Sequence, residues 1–61
     1  MKKVRVGSVV MVQTWLDGLK RGTVDDVDYE GKNGRPTIGY VDAQGDGYWA
    51  YFDQITSVIS Y

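Results

Sequence analysis

The side chains in this sequence that could do chemistry are carboxylates, amines and aromatic rings, because it contains no cysteine and no histidine. That leaves no thiolate or imidazole to hold a metal, no disulfide, no cysteine nucleophile and no Ser-His-Asp relay. Acid–base work would fall to paired carboxylates such as Asp42 and Asp46. The stretch Asp42-Ala43-Gln44-Gly45-Asp46-Gly47, with Asp53 in the twelfth place, partly imitates a calcium loop. Gln44 and the short Asp53 suit that loop poorly, neither flank is helical in pattern, and a hairpin tipped by Gly-Asp-Gly accounts for the same residues. No metal and no other cofactor is expected.

The charges fall into groups. Asp25, Asp26, Asp28 and Glu30 read as a solvated strand face that discourages edge pairing. The basic residues are Lys2, Lys3 and Arg5, then Lys20 and Arg21, then Lys32 and Arg35. Amines interleaved with aromatic rings can grip phosphates and stack bases. Lys2, Lys3, Arg5, Lys20 and Arg21 are therefore the candidate contacts of one alternative, a nucleic-acid-associated accessory protein of the kind phages, plasmids and mobile elements carry. The formal charge of −1 opposes strong, unspecific nucleic-acid binding, which goes with a basic excess. Eight aromatics supply the remaining chemistry. In a regular strand over Tyr48-Trp49-Ala50-Tyr51-Phe52, Trp49 and Tyr51 oppose Tyr48 and Phe52, so one pair must face outward.

Sixty-one residues make one domain at most. A chain of about 60 residues buries only roughly 60% of its unfolded surface. With no disulfide or metal to staple it, stability must come from dense packing of Val, Ile, Trp and Tyr, or from oligomerisation. Eight glycines interrupt any helical pattern, and between them lie short runs rich in Val, Ile, Thr, Tyr and Trp. Five strands are predicted, roughly at 8–14, 20–29, 37–41, 47–52 and 57–61, with residues 1–6 as a loosely held basic arm. Asn33-Gly34 and Gln44-Gly45-Asp46-Gly47 mark hairpin turns, and Asp17-Gly18 ends the first loop. Phe52-Asp53-Gln54-Ile55 breaks the alternation and predicts a short 3₁₀ turn. Val24 and Val27 are three apart, so only a bulge or sharp bend returns both to one face. Short strands, tight hairpins and one bent strand together predict an all-β fold, a small five-stranded closed barrel. The longest apolar run, Val9-Val10-Met11-Val12, is too short for a signal-peptide core of about 7–15 residues or a membrane helix of about 20. A cytoplasmic protein with no membrane contact is expected.

In order along the chain, Gly7, Val10 and Val12, Trp15-Leu16-Asp17-Gly18-Leu19, Gly22-Thr23-Val24, Val27-Asp28, Ile38-Gly39-Tyr40-Val41-Asp42, the Gly45/Gly47 hairpin and Phe52-Asp53-Gln54-Ile55 resemble the SH3-like barrels of the Tudor type. The likeness is closest to the Tudor domains of Polycomb-like proteins and spans about residues 7–59. It implies a non-catalytic module that recognises a peptide or protein partner through an aromatic–acidic surface. In those domains an aromatic cage holds methylated lysine by cation–π attraction. By the resemblance Trp15 matches the cage tryptophan, Tyr40 and Tyr48 further aromatics, and Asp42 the acidic residue. The chain departs from the pattern at Lys20, which stands where the family has another cage aromatic and sets a cation beside a site meant for one. A second alternative is an oligomeric barrel that forms a site at its interface. The plasmid-borne type of dihydrofolate reductase is similar in size and fold, but its Val-Gln-Ile-Tyr strand is replaced here, at the nearest, by Tyr48-Trp49-Ala50-Tyr51.

Overall fold

The computed structural model describes residues 3–61; Lys2, one of the candidate nucleic-acid contacts, lies outside the described residues. Five strands form: β1 (Val9–Gln13), β2 (Leu19–Lys32), β3 (Arg35–Val41), β4 (Gly47–Tyr51) and β5 (Ile55–Ser60). A 3₁₀ turn, Phe52–Gln54, separates the last two. All neighbours are antiparallel, in one sheet of order β4-β3-β2-β1-β5. The protein is therefore all-β, with its 3₁₀ turn before the last strand.

Local chemistry explains the hairpins. Asn33 and Gly34 both take positive φ, 55° and 68°, so Lys32 and Arg35 can pair across a two-residue turn whose twist matches the strands. This carries β2 and β3 closer to the turn than their apolar residues alone indicate. Between β1 and β2, Gly18 (φ 67°) closes the loop, and Thr14 Oγ1 accepts the Asp17 N–H and donates to the Gly18 carbonyl. The expected bulge lies between Val24 and Asp26. Val24 pairs with Tyr40 and Val27 with Ile38, so both valines face inward although they are three residues apart.

The closure expected of a barrel is not present as strand pairing. β4 and β5 are the edges of an open sheet and share no ladder among the described residues, so hydrogen bonding does not close it into a barrel. The three-residue turn carries the chain away from β4 to the far edge, where β5 pairs with β1. Gln54 braces this crossing: its Oε1 accepts the Tyr51 N–H and its Nε2 donates to the Gln13 carbonyl. The tryptophans lie outside the core. Val4, Val10, Val12, Val24, Ile38, Tyr40, Ala50, Phe52 and Ile55 form the core, while Trp15 is 62% exposed and Trp49 39%. The segment before β1 is also tied down from Val4 onward, in contrast to the loosely held arm expected over residues 1–6. Val4 is buried, Gly7 donates to the Val24 carbonyl, and the buried Ser8 hydroxyl accepts the Arg5 N–H and donates to the Tyr61 carbonyl.

Candidate functional site

Lys20, Gly22 and Val24 alternate along β2 and share its inward face. Gly22 has no side chain, and the Tyr40 ring lies in the space this leaves. Tyr40 is opposite Tyr48 in the β3–β4 register, and their rings stack at 5.6 Å with planes 28° apart. The stack then places Tyr48 beneath Lys20, whose Nζ stands 4.3 Å from the ring centroid. The same Nζ is 3.8 Å from Asp42 Oδ2, within ion-pair range but too long for a hydrogen bond.

Lys20, Tyr40 and Tyr48 form one wall of a cleft of about 320 Å³. Its other side comes from the β1–β2 loop and β4, with Trp15, Leu16 and Trp49. Trp15 meets Trp49 edge-on at 5.2 Å and Tyr51 at 6.4 Å, so the loop reaches across to the β4 edge. Leu16 is almost fully exposed, and Tyr48 and Trp49 about 40% exposed. A contiguous apolar surface therefore lines the opening.

The four residues matched to an aromatic–acidic surface do not play equal parts. Trp15 and Tyr48 are open to solvent, whereas Tyr40 is buried and acts as the floor beneath Tyr48. Asp42 faces a neighbouring hollow with Arg21, Gly22 and Thr23 instead of the cleft. Its Oδ1 accepts the N–H groups of Gln44 and Asp46, which shapes the β3–β4 hairpin, while Oδ2 faces Lys20. The Asp46 N–H lowers the Asp42 pKa most; burial opposes it, and the Gln44 N–H and the Lys20 charge add to the lowering. Lys20 in turn is pushed above its ordinary value by its interaction with Tyr48 and by the carboxylates of Asp17 and Asp42, so it is charged throughout the neutral range.

The acid side of the stability profile follows from Asp42. A carboxylate with a lowered pKa in the folded state stabilises the fold above its ordinary value of 3.8 and loses that contribution as pH falls through the folded-state value. Urea unfolding between about pH 7 and about pH 3 is expected to show a shallower acid loss for Asp42→Asn than for the parent. Identical acid slopes would contradict this role.

The basic residues of the nucleic-acid alternative are divided. Lys20 and Arg21 are consecutive in β2 and point to opposite faces. Arg5 lies 4.0 Å over the Tyr61 ring and its Nε donates to the Tyr61 carbonyl, and Lys3 is exposed. In the stretch that imitates a calcium loop, Asp42 is committed to its hairpin and Asp53 pairs with Arg35 at 2.6 Å.

Sequence reasoning missed Leu16 and left the role of Trp49 open. The period-two pattern of β4 places Trp49 and Tyr51 on the outward face, but Trp49 borders the cleft because β4 is an edge strand around which Trp15 can wrap. Arg35 covers the Tyr51 ring at 3.7 Å and Lys32 the Trp49 ring at 4.7 Å. No family model, no curated protein and no solved structure matches this chain.

Proposed function

We propose that this chain is a non-catalytic binding module of SH3-like, Tudor-type architecture that recognises a peptide or protein segment at the cleft. The observation carrying this reading is the apolar surface of Trp15, Leu16, Tyr48 and Trp49, left exposed around a cleft of about 320 Å³ in a chain with few large side chains to spare. Exposed apolar patches rimmed by polar groups mark interaction sites, and half-exposed Trp and Tyr are the residue types that dominate binding energy. The strand order, with β5 beside β1 and a 3₁₀ turn before it, supports the SH3-like assignment. Asp42 is tied to its hairpin and to Lys20, which supports a binding role over acid–base work.

Selection of a random-peptide phage library on the immobilised protein tests this. Enriched peptides are expected to lose about tenfold or more in affinity, roughly 1.4 kcal/mol, on Trp15→Ala, a substitution at a position 62% exposed whose folding is checked by its urea transition. Failure to enrich any peptide, or equal affinity for the parent, Trp15→Ala and Tyr48→Ala, would overturn the reading.

A further inference from the structure

We infer that Lys20 determines the specificity of this cleft: its ammonium occupies the space between the Tyr48 ring in the cleft and the Asp42 carboxylate beside it, so the partner lays an uncharged apolar side chain against Trp15 and Leu16 and not a cation. The inference rests on the reading of the cleft as a binding surface and names what that surface selects.

Three groups that would attract an external cation are already committed. The Tyr48 ring has Lys20 Nζ at 4.3 Å from its centroid. The Asp42 carboxylate has the same Nζ at 3.8 Å from one oxygen and two backbone N–H groups, at 2.9 and 3.0 Å, on the other. The Tyr40 ring is covered by Tyr48. The Lys20 and Asp42 side chains are 24% and 11% exposed, so the pair is partly buried and less screened than one on open surface. Lys20 cannot retreat with its backbone, because it is paired with Val12 in the β1–β2 ladder. A second ammonium would have to displace Lys20 or sit beside it, and like charges at such a site repel.

The outward rings of β4 follow the same pattern. Lys32 lies over Trp49 and Arg35 over Tyr51, and with Arg5 over Tyr61 the described residues hold four such contacts. About one is expected in a chain of 70–80 residues. Trp15 carries no cation among the described residues and meets its aromatic neighbours only edge-on. With Leu16 it presents neutral apolar surface. The charge pattern therefore matches an aliphatic or other uncharged side chain and excludes a free cationic one.

Two short peptides that differ at one side chain isolate the charge: Nε-trimethyllysine, and its uncharged carbon isostere ending in a tert-butyl group. Their titration is followed by the indole N–H signals of Trp15 and Trp49 in the parent, Lys20→Met and Lys20→Arg. The parent and Lys20→Arg are expected to favour the uncharged peptide by at least about tenfold in Kd, and Lys20→Met to shift the ratio toward the cation by a similar factor. Equal binding of both peptides by the parent would overturn the inference, as would an unmoved ratio in Lys20→Met. Either result leaves the cleft standing as a binding surface. Absence of any response to both peptides in all three proteins would overturn the inference, while the peptide-library selection decides the binding reading separately.

Discussion

Gly22→Ala is expected to destabilise the protein by about 1–3 kcal/mol, the cost of forcing an extra methyl group into a packed interior. The new Cβ would lie 3.1 Å from Tyr40 Cγ and 3.2 Å from Cε2, with Cδ2 closer still. Tyr40 has nowhere to go: it is 2% exposed, Tyr48 stacks on it, and its strand is held by β2 on one side and β4 on the other. Gly22 does not have a positive φ, so the effect is steric and not conformational. That distinction can be measured. In a Tyr40→Leu background, where the ring is gone, the same Gly22→Ala change should cost markedly less, a coupling that a double-mutant cycle in urea reads directly. Tyr40 is also the floor under Tyr48, so Gly22→Ala should alter the near-ultraviolet tyrosine signal. An unchanged urea midpoint would refute the account.

The second large effect is expected at the centre of the core. Ile38 is 1% exposed and faces Val27 on one side and Ala50 on the other. Ile38→Ala removes buried methylenes and leaves a cavity, a change that costs about 2–5 kcal/mol. A domain below about 70 residues rarely draws more than about 3–5 kcal/mol from its core, so this one substitution removes most of the margin. The variant is expected to be largely unfolded at room temperature, seen as loss of amide dispersion and of a cooperative urea transition. Ile59→Ala is the matched control. Ile59 is 51% exposed on β5, and its loss should stay within about 0.5 kcal/mol. If Ile38→Ala unfolds within about 1 kcal/mol of the parent, the core is not where the buried surface places it.

These two positions differ in how far the amino-acid order alone reveals them. Ile38 lies in an alternating apolar run, and a strand with one buried face predicts its burial. Gly22 also lies in a strand pattern, but nothing local says that a ring from another strand lies over it. The bulge in β2 was legible for a simple reason: the strand period is two, and Val24 and Val27 are three apart. Asn33-Gly34 was legible because few other residue pairs accept positive φ twice in succession. The buried hydroxyl of Ser8, which joins the chain before β1 to Tyr61, left no local trace because its partners include a residue near the far end of the chain.

The candidate site divides in the same way. Trp15, Tyr40, Asp42 and Tyr48 stood out by type and order, and Lys20 stood out as a cation among them. Their roles did not. Tyr40 is buried, Asp42 builds a hairpin, and Trp49 joins the cleft from the outward face of an edge strand.

The amino-acid order alone determined the all-β class, the positions of the turns, the bulge and the removal of thiol and imidazole chemistry. Each depends on backbone preference, on a period of two or on which residue types are present, and all of these are properties of neighbours in sequence. Only the tertiary structure decided that the sheet stays open, that both tryptophans stay outside the core, and that Lys20 rests on Tyr48 and Asp42. Those outcomes depend on strand register and on which side chains fill a shared volume, and residues far apart in the chain settle them together.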